Sequence, residues 1–137
     1  MTPLAKKLLI KPGARVLVLN APDGYGAQLE PLPEGAEVSI RPEGAFDVVQ
    51  LFARNKAELE AHAPAALAAL GPKGIFWLSY PKGSSKKQTD LTRDTGWDVL
   101  AAAGLDIVAQ VSIDDTWSAG RFKAAETVKR SGRSGEA

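Results

Sequence analysis

"KPGARVLVLNAPDGYG", residues 11–26, is the stretch on which the fold turns. A turn at Pro12-Gly13 launches an unbroken apolar run from Val16 to Leu19, and a polar, glycine-bearing segment follows at once. A strand with one wet face alternates apolar and polar residues; a strand covered on both faces does not. The run 16–19 therefore predicts a parallel sheet with helices above and below it. "FDVVQLFA" (46–53) and "GIFWLSY" (74–80) carry the same continuous pattern.

Between those two lies "NKAELEAHAPAALAALGPKG" (55–74). Asn55 with Glu58 three positions on forms a capping box. Leu59, Ala63, Ala66, Leu67 and Leu70 follow a helical stripe, which Gly71-Pro72 ends. Pro64 inside this stretch predicts either a kink or a restart of the helix. A second helix is expected from Thr95, with Asp98 in its first turn, Trp97, Leu100 and Ala101 on one side and Gly104 as the stop. "DIVAQVSID" (106–114) and "TWSAGRFKA" (116–124) read as strands joined so tightly at Asp114-Asp115 that they must form an antiparallel hairpin. "EVSI" (37–40) also resembles a strand, yet only "RPEGA" separates it from Phe46, where a parallel crossover normally takes ten or more residues. We expect a short edge strand followed by a bare linker, the antiparallel direction being the alternative. The whole reads as one three-layer, Rossmann-like α/β domain over residues 1–124, with a polar, flexible tail over 125–137.

Composition narrows the chemistry. The chain has 137 residues, 45% hydrophobic and 24% charged, with a net charge of +1, so no global field points to nucleic acid or an anionic membrane. It contains no cysteine, which removes disulfides, thiolate nucleophiles and cysteine–zinc sites. His62 is the lone histidine, so neither a Ser–His–Asp triad nor a two-histidine metal site is expected. No apolar run approaches the roughly 20 residues of a membrane helix, and residues 1–10 do not read as a signal peptide. A cytoplasmic protein is expected.

The order of elements resembles a reduced S-adenosylmethionine-dependent methyltransferase. "KPGARVLVLNAPDGYG" is similar to that family's first strand and cofactor loop, "FDVVQLF" to its fourth strand, and "LAALGPKGIFWLSYPK" to its fifth. The closing hairpin resembles its reversed last strand. The whole chain, "YPKGSSKKQTDLTRD" and "SIDDTWSAGRF" above all, also resembles a bacterial family of small, uncharacterised proteins. Against the methyltransferase pattern, the first loop begins with Asn20, Ala21 and Pro22, and glycine first appears at Gly24. Arg41 follows Ile40 where that family ends its second strand on an acid that holds the ribose hydroxyls. The helix–strand–helix segment expected after the second strand is missing.

Ligands of open α/β sheets bind beyond the carboxyl ends of the strands, where strand order reverses. Residues 20–25, 53–55 and 81–94 should meet there. Within the last, Lys82, Lys86, Lys87 and Arg93 against Asp90 and Asp94 leave a local charge of +2 (four minus two), which suits a phosphate or carboxylate. Asn20, Asp23, Gly24, Tyr25, Lys82, Thr89, Asp90 and Arg93 are the candidate ligand-binding residues; the plain alternatives are a solvated loop and an elaborate helix cap. No metal site is expected: Asp114 and Asp115 read as turn residues. Trp77 and Trp117 read as packing aromatics. The leading expectation is a non-catalytic module binding a small anion or nucleotide, with no cofactor held in the methyltransferase manner. An active small S-adenosylmethionine-dependent enzyme and a homodimeric interaction module joined through the hairpin edge are the alternatives.

Overall fold

Neighbouring residues of a strand point to opposite faces, so the run 16–19 must be covered twice. The computed structural model describes residues 4–82 and 97–124. In it β1 (Arg15–Leu19) sends Val16 and Val18 into one core and Leu17 into another. β2 (Glu37–Ser39), β3 (Phe46–Phe52) and β4 (Leu70–Pro81) run parallel to it, and β5 (Leu105–Ser112) and β6 (Trp117–Ala124) close the sheet as an antiparallel hairpin. The six strands lie in the order β2-β1-β3-β4-β6-β5. This is a Rossmann-like three-layer sheet with antiparallel strands at its C-terminal edge.

Each face has its own cover. α3 (Lys56–Ala69) contributes Leu59, Ala63 and Ala66, and α4 (Asp98–Ala102) contributes Leu100, to a core shared with Leu17, Val49, Leu51, Phe76 and Phe122. On the opposite face α1 (Leu4–Lys7) and α2 (Tyr25–Gln28), with Leu8 and Leu29, cover Val16, Val18, Val48, Phe52, Trp77 and Trp117. A leucine buried this fully contributes about 1.5–3 kcal/mol relative to exposure. The two tryptophans are core residues as expected; the Trp77 indole N–H donates to Leu8 O at 2.9 Å and fastens the N-terminal segment to the sheet.

The doubtful strand is parallel to β1, so the bare-linker reading holds: Arg15 pairs with Glu37 and Leu17 with Ser39. The strand ends at Ser39, and Ile40 stands 76% exposed beyond it. From Ser39 the chain must drop about three residues and cross two strand spacings, roughly 14 Å, well within the reach of residues 40–45. No helix is needed to span so little. Arg15 secures the crossing: Nη1 donates to Ala45 O at 2.8 Å, and the guanidinium lies 4.5 Å from the centre of the Phe46 ring. Gly44, at φ +91°, follows the same contact, since a Cβ there would stand 3.3 Å from Arg15 Nη1.

The helices depart from expectation in small ways. Asn55 caps α3, its side chain accepting from Glu58 N at 2.9 Å, and α3 runs through Pro64 without a break. Pro64 faces solvent, where water can serve the carbonyl that proline leaves without a donor. α4 lies within the expected helix and stops at Gly104 (φ +89°), but Ala101 is exposed, not part of the buried side formed by Leu100 and Trp97. Thr95 and the tail 125–137 lie outside the described residues.

Candidate functional site

β1 is flanked by β2 on one side and β3 on the other, so strand order reverses beside it. A crevice is expected at this point, between the carboxyl ends of β1 and β3. Asn20, the first residue after β1, stands at it. Its backbone is left-handed at φ +60°, a conformation asparagine tolerates better than most residues. From there Nδ2 donates to Phe52 O at 2.8 Å and to Glu58 Oε1 at 3.2 Å, tying the ends of β1, β3 and α3 together. Glu58 is the hub: Oε1 also accepts from Arg54 N at 2.9 Å, and Oε2 accepts from Arg54 Nε at 2.9 Å and Nη2 at 2.6 Å. The Arg54 hydrogen bonds above all hold the Glu58 carboxyl down at about 2, against partial burial that pushes it up.

Beyond Asn20 the loop separates two open cavities. One, of about 440 Å³, lies toward β2 and is mainly apolar, with Val18, Leu29, Val38 and Ile40 on its walls. The other, of about 490 Å³, lies toward the hairpin and is polar, bounded by Asp23, Arg54, Thr116 and Trp117. Asn20, Ala21 and Pro22 line both.

Gly24 precedes α2 at φ +81°, and no atom lies within 4 Å of the position its Cβ would take. Glycine is required here by backbone conformation, not by close approach. Tyr25 turns inward, only 2% exposed, its ring edge-on to Phe52 at 4.6 Å. Its hydroxyl donates to Gln50 Oε1 at 2.7 Å, and Gln50 Nε2 donates to Ser79 Oγ at 2.9 Å. Burial pushes the phenol well above its usual range, and the Asp114 charge adds to this while the Gln50 bond opposes it.

Five of the eight expected site residues fall among the described residues. Asn20, Asp23, Gly24 and Tyr25 share one loop at the crevice. Lys82 stands at the same end of the sheet, but its ammonium donates to Ser112 Oγ at 2.7 Å, at the end of β5. Thr89, Asp90 and Arg93 lie outside the described residues. Asp114 is engaged in the hairpin turn, with Oδ1 accepting from Thr116 N and Trp117 N at 2.9 Å each. Among the described residues no group of three or more metal-ligating side chains occurs. Sequence reading missed the Arg54–Glu58–Asn20 network; the i,i+4 spacing of Arg54 and Glu58 signals half of it, and nothing in the sequence signals Asn20.

This strand order, parallel through β4 and reversed at β6, defines a methyltransferase-like Rossmann fold. Solved structures agree. The chain is similar to a DhpI–SAH complex, at a TM-score of 0.58 and 13% identity, over 89% of this chain and 82% of that one. It is also similar to the Methanococcus jannaschii fibrillarin pre-rRNA processing protein, at 0.59 and 14% identity over 90% and 70% of the respective chains. A SAM-dependent methyltransferase from Aquifex aeolicus matches at 0.57 and 13% identity, over 88% and 87%. At such identities the likeness is one of fold. No family model and no curated protein matches the sequence.

Proposed function

We propose that the chain is a small-molecule-binding module that uses a methyltransferase-like scaffold without transferring a methyl group. The observation that carries this reading is the position of Asn20. Its amide is committed to Phe52 O and Glu58 at the crevice that ligands of such sheets use. The ligand instead takes the open cavity toward β2, where Val18, Leu29, Val38 and Ile40 form apolar walls and no lining residue is acidic. Such walls suit a flat or apolar body; they offer no carboxylate to a ribose diol. Thermal-shift and calorimetric screening with adenine, adenosine, S-adenosylmethionine, its demethylated product and flat heterocycles tests this. Stabilisation by a ring-bearing ligand, weakened in Ile40→Asp, is the expected result. A library without a single binder overturns it.

A second reading, an active S-adenosylmethionine-dependent methyltransferase, draws on the fold of the neighbours and on a cavity directly beside the first loop. Positioning, more than acid–base chemistry, would serve such a reaction. Tight calorimetric binding of both S-adenosylmethionine and its demethylated product would favour it over the first reading.

A further inference from the structure

Ser112, the last residue of β5, gathers two lysines from distant parts of the chain. Lys82 Nζ donates to its Oγ at 2.7 Å, and Lys7 Nζ to its carbonyl at 3.3 Å. β5 is an edge strand, and the Ser112 carbonyl turns outward to Lys7. In an antiparallel strand the N–H and C=O of one residue point the same way, so the Ser112 amide turns outward too. Two ammonium groups are thus bonded to one residue, Ser112, whose hydroxyl and backbone amide are both at hand. Among the described residues neither lysine has a carboxylate within ion-pair distance. Asp114, on the adjoining turn, is engaged with Thr116 N and Trp117 N. Two like charges drawn together without a counter-charge repel one another, and an anion between them relieves that repulsion.

We propose that Lys7, Lys82 and Ser112 form a binding site for the terminal phosphate of a small molecule. A phosphate suits this donor set better than a carboxylate: three terminal oxygens can engage separate donors, and its charge of about −1.5 to −2 at neutral pH matches two ammonium groups. The site belongs to the hairpin, and none of its three residues lines the cavity toward β2, so it does not depend on the ligand proposed there.

The test is a titration of isotope-labelled, full-length protein with inorganic phosphate and pyrophosphate at low ionic strength, following the Ser112 and Lys82 backbone amide resonances. Acetate at equal ionic strength serves as the carboxylate arm. Saturable shifts confined to Ser112 and its neighbours are expected, with acetate weaker and about a tenfold loss of affinity in Lys82→Met or Lys7→Met. Lys11→Met, which removes an exposed lysine elsewhere, should leave the response intact. All three lysines are at least partly exposed, so these variants should fold, and amide spectra check that directly. Shifts that fail to saturate, that spread evenly over surface lysines, or that survive Lys82→Met overturn the proposal.

Discussion

Removing the Tyr25 hydroxyl tests the buried chain beneath the first loop. Tyr25, Gln50 and Ser79 are 2%, 1% and 0% exposed, and their side chains form one hydrogen-bonded line. Tyr25→Phe preserves the ring contact with Phe52 but leaves Gln50 Oε1 in the core without its donor. An unsatisfied buried group costs about 1–3 kcal/mol. Gln50→Met removes the middle partner, strands the Tyr25 and Ser79 hydroxyls and recovers some apolar contact, for a net loss of about 2–3 kcal/mol. In the Gln50→Met background, Tyr25→Phe removes a group that is already unsatisfied and should cost nothing or restore stability. The cycle therefore predicts a coupling of about 1–3 kcal/mol. Urea unfolding at neutral pH, with unchanged slopes, measures it; the Tyr25→Phe midpoint should fall by about 3–4 °C in a thermal scan per kcal/mol lost. A single Tyr25→Phe change of less than about 0.3 kcal/mol, or simple additivity in the double variant, would refute the chain as described.

Other outcomes follow from the same geometry. Glu58 has its folded pKa lowered from 4.5 to about 2, so its contribution is present above 4.5 and lost as pH falls toward 2; urea midpoints measured from neutral pH downward should show a decline over that window that Glu58→Gln flattens. Gly24→Ala meets no atom, so its cost is that of a left-handed backbone alone, about 1–2 kcal/mol by urea unfolding. Trp77→Phe removes the bond to Leu8 O, and hydrogen exchange over residues 4–10 should accelerate more than exchange in β3.

Much of the scaffold was legible because burial on both faces leaves a continuous apolar run. β1, β3 and β4 were visible for that reason, and α3 through its Asn55 cap and its Leu59, Ala63, Ala66 stripe. The tight turn at Asp114 fixed the hairpin as antiparallel. The site was less legible, because side-chain direction depends on partners far away in sequence. Asn20 reads as a loop residue; only the fold brings Phe52 and Glu58 to it. Lys82 reads as part of a basic segment, yet its bond is to Ser112, thirty positions on. Tyr25, in a polar stretch, gives no sign that it turns inward to Gln50. Periodicity reports which face is wet; it does not report which polar group will meet which.

The short outer strand has one more consequence. β2 is joined to the sheet through just three residue pairs, and it carries the exposed Val38, with Ile40 directly after it, that wall the apolar cavity. A pocket hung on the least anchored strand shares its fate: whatever fills it must also hold that margin in place. Occupancy and the order of this border are then linked, each raising the other by the same factor, and a ligand would announce itself first as a stiffening of residues 37–40.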